Sequence, residues 1–470
     1  MYNRIHISRE LLLKMKNKEI SEKKVDMLNG PVAMKILLFA LPVAVSGILQ
    51  QLFNAADVAV VGKFAGGDAL AAVGGNSPLI NLFIGAFTGL SIGTNIVIAQ
   101  MIGRRDEKGV STAVHTSMLF AAYSGLVLMI AGMIAAPMLL HLIGSPDDVI
   151  GSATLYLRIY FIGAPFAVVY NFGAAVLRSV GDTRRPMICL ILTGVVNLLL
   201  NLVLVIVFRL GVAGVGIATT VANVLSAVII LRLLCRETSS IRLQLSKLTI
   251  SRPILIKILK IGGPAAVQSM VFSIANVSIQ GGINSFGSKT IAGSAAALNF
   301  ELFDFYMITA FNQAAVTFVG QNYAAGKSER CSRITMVCIA EATICVILMI
   351  SVFLAAKSFW VGLYTSDAEI MNLAFIRMRY VLVVHFMCSV FEILGSSLRG
   401  KGYGITPTVI TVLGSVVFRV IWLLTVFRIS HTYITLLLVY PASWIFTDIM
   451  MIIAYAVIQN KMKKEKIPGA

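Results

Sequence analysis

Long apolar stretches dominate the chain, and polar residues gather in the short segments between them. Twelve such stretches can be outlined, near residues 33–62, 69–102, 112–140, 153–177, 186–208, 211–234, 254–284, 290–322, 333–356, 370–398, 405–427 and 432–458. Each is long enough for a membrane-spanning helix, which needs about 20 residues. A membrane barrel would instead show short segments of alternating polarity. The pattern therefore predicts an all-α integral membrane protein with twelve transmembrane helices.

The composition and the placement of charge agree with this prediction. The chain is 58% hydrophobic and 13% charged, whereas soluble proteins are about 25% charged. With the N-terminus inside, 30 of the 39 Lys and Arg residues fall on inner segments and 5 on outer segments. The positive-inside rule then predicts a multi-pass protein of the cell membrane with both termini in the cytoplasm. The positive-inside distribution of Lys and Arg accounts for the net charge of +18. We therefore expect contact with membrane lipids and no nucleic acid partner.

The sequence carries no motif of an enzyme or of an ATP-driven pump. It lacks the P-loop pattern GxxxxGK[ST] and HExxH. Its GxSxG match, GLSIG (89–93), lies inside a predicted membrane span and not at the strand-to-helix turn that a hydrolase nucleophile needs. The six cysteines show no CxxC spacing that would indicate zinc or a disulfide framework. We therefore expect no enzymatic activity and no cofactor, and an ion gradient as the energy source for any transport.

The second half of the chain repeats the first at an offset of 221 residues. Two pairs of segments carry this offset and a third pair is offset by 219: LRSVGDTRRP (177–186) with LRGKGYGITP (398–407), AQMIGRRDEK (99–108) with GQNYAAGKSE (320–329), and FNAADVAVVG (53–62) with FSIANVSIQG (272–281). Each copy holds six helices, and an even number predicts parallel repeats related by an axis along the membrane normal. The expected domains are a basic cytoplasmic N-terminal segment (1–30), an N-lobe (31–234), a cytoplasmic linker (235–253), a C-lobe (254–458) and a basic cytoplasmic tail (459–470).

Several motifs give the chain a resemblance to the multidrug and toxic compound extrusion (MATE) family over about residues 31–460. They are LPVAVSGILQQLFNAADVAVVGK in the first helix, LRSVGDTRRPM with the following NLLLN, INSFG, GQNYAAGK and the second LRGKG. The resemblance implies two six-helix lobes. It also implies efflux of drugs, often cationic, by alternating access against influx of Na⁺ or H⁺.

The resemblance also implies a coupling site in the N-lobe. Asp57 stands where the family keeps a carboxylate in its first helix, and Asn197 matches its helix 5 asparagine. Some members carry a second acid four residues later, where this chain has Asn201, and another acid before the C-lobe LRG, where it has Cys388. Asn197 and Asn201 lie on one helix face, so a carboxylate opposite them can bind Na⁺ or hold a proton. A neutral, hydrogen-bonded structural Asp57 is the alternative.

Other polar residues inside the predicted spans are expected to line a substrate cavity. Intramembrane acids usually face a cavity or a partner. Glu301 and Asp304 share one face of helix 8, and the repeat relates Asp57 to Asn276 and Asn171 to Glu392. We assign to the cavity Asn171, Asn276, Glu301, Asp304 and Glu392. Arg419, deep in helix 11, is a possible buried partner of Glu392 or Glu301, and His385 is a further candidate for a proton-linked group.

The expected function is cation-coupled export of amphipathic organic compounds by a monomer. A lipid-linked precursor flippase of the same superfamily is the main alternative, although such a flippase usually needs a strongly basic cavity for pyrophosphate. A major-facilitator porter shares twelve helices in parallel halves but lacks the duplicated LRxxG. A non-transporting receptor is a further alternative.

Overall fold

The computed structural model describes residues 25–142 and 147–465. Within these residues, twelve helices are long and apolar enough to span a membrane. They are α1 (Val32–Phe64), α2 (Ala69–Gly103), α3 (Glu107–Leu142), α4 (Asp148–Ser179), α5 (Arg184–Val207), α6 (Gly211–Cys235), α7 (Arg252–Asn284), α8 (Ser288–Ala324), α9 (Ser328–Ala355), α10 (Ala368–Gly400), α11 (Ile405–Ile429) and α12 (Tyr433–Met462). The all-helical fold and the twelve predicted spans are confirmed, with small shifts at the ends. The predicted segments 1–30 and 459–470 lie partly outside the described residues.

The outer surface of the helices is strongly apolar. Large hydrophobic side chains stand exposed along the spans, among them Ile134, Met138, Leu142 and Val207. A soluble monomer rarely exposes a continuous apolar surface of this kind, whereas hydrocarbon tails solvate it well. The helices satisfy their own backbone groups, as a lipid environment requires.

The internal repeat appears in the backbone of the turns. Gly66 and Gly287, Arg105 and Gly326, and Gly181 and Gly402 are pairs 221 residues apart, and all six residues have positive φ. In each LRxxG copy the helix ends in a left-handed turn, closed by bonds from the Asp182 N–H to the Leu177 carbonyl (3.1 Å) and from the Tyr403 N–H to the Leu398 carbonyl (3.0 Å). Glycine is the residue that adopts this conformation without steric cost. The motif glycines therefore terminate equivalent helices in the two lobes.

The spans α5, α10 and α11 each contain a stretch of π-helix or 3₁₀-helix. α5 changes from α-helix (Arg184–Leu202) to π-helix (Val203–Val207). α11 contains a π segment at Leu413–Val417, and α10 contains a 3₁₀ segment at Leu382–Met387. Single π turns within helices occur mostly at functional sites. Both π segments lie in helices that the repeat makes equivalent.

The first helix of each lobe packs its N-terminal half against the other lobe, on the side of the molecule that carries residues 25 and 465, hereafter the inner side. Ile36, Phe39 and Ala40 of α1 share a buried core with Phe311 and Phe318 of α8. Reciprocally, α7 makes close backbone contact with α2, where a Cβ on Gly93 would lie 2.3 Å from the Ile258 carbonyl oxygen. On the inner side, half of α1 therefore packs against the C-lobe and half of α7 packs against the N-lobe.

Hydrogen bonds between the lobes also gather on the inner side. Gln100 donates to the Gly400 carbonyl (2.9 Å), and Gln321 donates to the Ser179 carbonyl (2.7 Å). These two contacts are related by the repeat offset of 221. Among the described residues, the outermost hydrogen bond between lobes is Tyr306 to Gln51 (3.3 Å), near mid-membrane. Among the described residues, hydrogen bonds between the lobes are therefore confined to the inner side and the middle of the spans.

Candidate ion site and substrate cavity

Asp57 lies in the outer half of α1 and faces two amides of α5. Asn201 donates to Asp57 Oδ1. With its amide nitrogen turned towards the carboxylate, Asn197 donates to Asp57 Oδ1 at 2.9 Å, and its oxygen accepts from the Thr219 backbone N–H at 3.3 Å. The predicted arrangement of one carboxylate and two amides one helical turn apart is therefore present, because α5 presents Asn197 and Asn201 on the same face.

One oxygen in this cluster lacks a partner. Asn201 is fully buried, and its Oδ1 accepts no hydrogen bond from the described residues. A buried acceptor without a donor is unfavourable, and a bound cation or a protonated carboxyl would satisfy it. Carboxylate and amide oxygens are suitable ligands for a hard cation. The donor set therefore fits either Na⁺ or a proton at Asp57.

The π segment of α5 begins two residues after Asn201. Such a turn replaces the regular i→i+4 hydrogen bonds by wider ones and weakens the helix locally. The irregular turn therefore lies directly beside the ion-site amides, in a helix that must adjust if the cluster gains and loses an ion.

Glu301, predicted for the cavity, forms a buried ion pair in this structure. Arg377 of α10 donates to Glu301 Oε1 at 2.7 Å and to Oε2 at 2.8 Å. Arg377 also donates to Ser294 Oγ at 2.7 Å. All three side chains are buried. The bidentate pair neutralises both charges inside the C-lobe.

Asp304, also predicted for the cavity, is buried within the C-lobe. Its side chain is fully buried, with Oδ2 3.4 Å from His385 Nδ1 in the 3₁₀ segment of α10. The Asp304 Oδ1 atom has no partner among the described residues. The break in α10 places the imidazole opposite this carboxylate.

Arg419 pairs with neither Glu392 nor Glu301, contrary to the sequence-based prediction. Its Nε donates to Ser443 Oγ at 3.2 Å and its Nη1 to Asn276 Oδ1 at 3.4 Å. The guanidinium also lies over the rings of Tyr440 and Phe272. Glu301 is already paired with Arg377. Glu392 lies closer to the inner end of its span than Arg419 does to the inner end of α11.

Glu392 and Asn171, both predicted for the cavity, form hydrogen bonds within their own lobes. Glu392 is half-buried and accepts from Asn312 Nδ2 at 2.7 Å. Asn171 donates to the Ala167 carbonyl of its own helix at 2.9 Å. Asn276 is exposed on α7 beside Arg419. The structure thus brings together the three N-lobe residues but separates the predicted cavity residues.

Sequence reasoning missed the partners in the C-lobe. Arg377 could be recognised from the sequence as a charge within a span. Its pairing with Glu301 could not, because the two residues are 76 positions apart in the chain. Ser443 and Tyr440 of α12 carry no distinctive motif. The i, i+3 spacing of Glu301 and Asp304 correctly indicated that both lie on one face of α8. It did not indicate that this face packs against α10.

Comparison with known proteins agrees with the fold and the repeat. The family model described as MatE matches the chain twice, over residues 42–203 and 264–425. The chain is 25% identical over 445 residues to "Probable multidrug resistance protein YoeA" of Bacillus subtilis, covering 92% of this chain and 94% of that protein. It is 22% identical over 383 residues to "Multidrug export protein MepA" of Staphylococcus saprophyticus, covering 81% and 84%.

Solved structures show the same architecture. One is described as the outward-facing conformation of a multidrug resistance MATE family transporter, with a TM-score of 0.86, 23% identity and coverage of 94% of this chain and 99% of that chain. Another is a MOP superfamily transporter from Pyrococcus furiosus described as having a binding pocket of reverse polarity, with a TM-score of 0.86, 22% identity and coverage of 95% and 99%. The two family matches, which together span more than half of the chain, show that it belongs to the MatE family of membrane transporters.

Proposed function

We propose that this transporter is a cation-coupled antiporter that exports drugs or other amphipathic organic compounds. Its coupling cation, Na⁺ or a proton, binds at Asp57 with Asn197 and Asn201. The observation that carries the proposal is the Asp57 carboxylate held between two amides, with the Asn201 oxygen left without a donor. The printed names of the relatives, which are multidrug resistance and export proteins, support the substrate class.

The coupling follows from differential affinity. A carboxylate among amides can be charged, ion-bound or protonated, which an asparagine cannot. A ligand shifts a conformational equilibrium only if it binds the two states unequally. Cation binding from the outer side and release to the inner side would therefore bias the lobes between outward- and inward-facing forms. Both termini are placed in the cytoplasm in this scheme, and the monomer suffices because each chain holds both lobes.

The test is export from proteoliposomes under imposed gradients. We expect the purified protein to export tetramethylrhodamine methyl ester at least about tenfold faster with an opposing Na⁺ or pH gradient than without one. Each gradient is applied alone to identify the ion. Equal rates with and without either gradient would reject cation-coupled antiport.

The same vesicles test the flippase alternative. A fluorescent polyprenyl-pyrophosphate sugar lipid replaces the dye, and its movement between leaflets is followed by quenching. Transfer of this lipid without dye export would favour the flippase. A pyrophosphate needs several cationic partners, and Arg377 of the described C-lobe is already neutralised by Glu301, so we expect no such transfer.

A further inference from the structure

Arg419 carries a positive charge that no side chain of the described protein balances. It is 2% exposed. Its protein partners are neutral: the Ser443 hydroxyl, the Asn276 amide oxygen and the rings of Tyr440 and Phe272, whose centroids lie 4.9 and 5.4 Å from the guanidinium carbon. Arginine stays protonated in proteins, so burial does not remove its charge.

The neighbouring acids have other partners. Glu301 receives two hydrogen bonds from Arg377, Asp304 lies against His385, and Glu392 accepts from Asn312. Among the described residues, no carboxylate lies within the 4.0 Å that defines an ion pair with Arg419. Tyr440 is flanked by both guanidiniums, and only that of Arg377 is neutralised. A buried charge without a partner is strongly unfavourable. Breaking a buried ion pair is destabilising for the same reason, since it leaves such a charge behind.

The site faces the space between the lobes. Polar residues recur on one side of α7 at Ser269, Ser273, Asn276, Gln280 and Asn284, the spacing of a single helix face. This face begins against the N-lobe, since a Cβ on Gly85 of α2 would lie 3.2 Å from Ser269 Cβ. It continues outward through Asn276, Gln280 and Asn284, which are exposed, into the half of the molecule where no described hydrogen bond joins the lobes. Asn276, exposed on this face, covers the guanidinium of Arg419.

We propose that Arg419 and Asn276 form a binding site for a monovalent anionic group. The occupant is either the carboxylate of a zwitterionic amphipathic substrate or a free inorganic anion such as chloride. Asn276 offers its oxygen to Arg419, so both hydrogens of its amide nitrogen remain available to the anion. The planar guanidinium is well suited to a carboxylate, and Tyr440 and Phe272 provide apolar surface. The carboxylate form of the inference rests on the proposed export function, whereas the chloride form does not.

The first experiment compares two dyes that differ by one charge. Tetramethylrhodamine with a free carboxylate and its methyl ester are titrated with purified protein in detergent, and binding is followed by fluorescence anisotropy. The readout is the ratio of the two Kd values, which cancels changes in general dye affinity. If a substrate carboxylate is the occupant, we expect the wild type to favour the free carboxylate about tenfold, Arg419→Gln to lose this preference and Arg419→Lys to keep part of it. Arg428→Gln, an exposed arginine near the outer end of the same span, is the matched control.

The second experiment identifies a free anion. Thermal unfolding of wild type and Arg419→Gln is measured in chloride and in gluconate at constant ionic strength. If chloride is the occupant, it raises the wild-type Tm, has no effect on Arg419→Gln, and the dye ratio is near one. If a substrate carboxylate is the occupant, the wild type prefers the free carboxylate dye over its methyl ester, and chloride leaves the wild-type Tm unchanged.

A further variant covers the case in which Arg419→Gln does not fold. Asn276→Asp places a carboxylate beside Arg419 and should occupy the anion site, because it gives the buried guanidinium an acidic partner. We expect it to fold with an unchanged or higher Tm and to lose whichever of the two effects, the carboxylate preference or the chloride effect, the wild type shows. The inference is overturned if Asn276→Asp retains that effect, or if the wild type shows neither. Binding of the methyl ester without any gradient-driven export would instead reject the proposed function and leave the chloride site standing.

Discussion

Three charged side chains inside the membrane are stabilised in three different ways. Asp57 lies between amides, Glu301 is paired with Arg377, and Arg419 is surrounded by neutral groups. A fully formed buried pair has little reason to exchange its partner, because breaking it leaves two desolvated charges. Asp57 and Arg419 lack such a partner and are therefore the residues free to bind and release a charged ligand.

The Glu301–Arg377 pair is predicted to be structural. Glu301→Gln and Arg377→Met should each lower the free energy of unfolding by about 3–5 kcal/mol, because each leaves one buried charge alone. The double variant Glu301→Gln/Arg377→Met should lose less than the sum of the two. Thermal unfolding in detergent measures all three.

The matched control is Glu369→Gln, which breaks the exposed pair with Lys289. An exposed pair contributes about 0.2–1 kcal/mol, so this variant should unfold near the wild-type temperature. If Glu301→Gln is as stable as Glu369→Gln but loses dye binding, Glu301 contacts substrate after all.

The candidate site was predictable from sequence only in part. Asp57 stands out as an acid in an apolar helix, and the four-residue spacing of Asn197 and Asn201 puts both amides on one face. The pairing of Glu301 with Arg377 depends on how α8 meets α10, which no local pattern determines. Arg419 could be recognised as costly, but its lack of an acidic partner is a property of the packed C-lobe.

At the scale of helices, the two lobes contact each other through repeat-related elements. The inner halves of α1 and α7 each pack on the opposite lobe. Gln100 and Gln321, equivalent in the repeat, each donate to a backbone carbonyl at the end of a helix in the other lobe. The glutamine shared by the repeated segments AQMIGRRDEK and GQNYAAGKSE thus forms a symmetric inner contact.

Removing this contact should favour the inward-facing form. The double variant Gln100→Ala/Gln321→Ala loses two hydrogen bonds, each contributing about 0.5–1.5 kcal/mol. We expect a shift of the conformational equilibrium of about tenfold. Electron-paramagnetic distance measurements between spin labels at the exposed positions Lys108 and Glu329 should show a longer-distance population than in the wild type.

Gln459→Ala is the control for this measurement. Gln459 also lies on the inner side, but it donates to Tyr455 of its own helix at 2.7 Å. Its loss should leave the distance distribution unchanged. An unchanged distribution in the double glutamine variant would show that apolar packing alone closes the inner side.

Helix boundaries were more predictable than helix irregularities. The spans follow from apolar length, and the motif glycines Gly181 and Gly402 mark turns because they take positive φ. The π segments at Val203–Val207 and Leu413–Val417 have ordinary apolar sequences. Neither segment contains a Pro or a polar cluster from which a wider turn could be predicted.

At the scale of the whole molecule, the charge distribution predicts which side faces the cytoplasm. Ser366 lies in an outer connection and Ser246 in the linker between the lobes, and both are exposed. Ser366→Cys should react with an impermeant thiol reagent in intact cells, whereas Ser246→Cys should react only after the cells are opened. The unchanged wild type measures the background of the six native cysteines. Labelling of Ser246→Cys but not of Ser366→Cys in intact cells would invert the topology.

The central claim is that Asp57 binds the coupling cation. Asp57→Asn removes the only carboxylate of the described N-lobe cluster and keeps its size, so the protein should fold and insert normally and still bind tetramethylrhodamine methyl ester. Its amide oxygen cannot take up a proton, and without a charge it should bind Na⁺ poorly.

The most direct measurement is export of this dye from proteoliposomes by purified wild type and Asp57→Asn under separately imposed Na⁺ and pH gradients. We expect the variant to lose at least about tenfold of the gradient-driven rate while its rate without a gradient stays unchanged. Export by Asp57→Asn at the wild-type rate under both gradients would contradict this account and make Asp57 a structural residue.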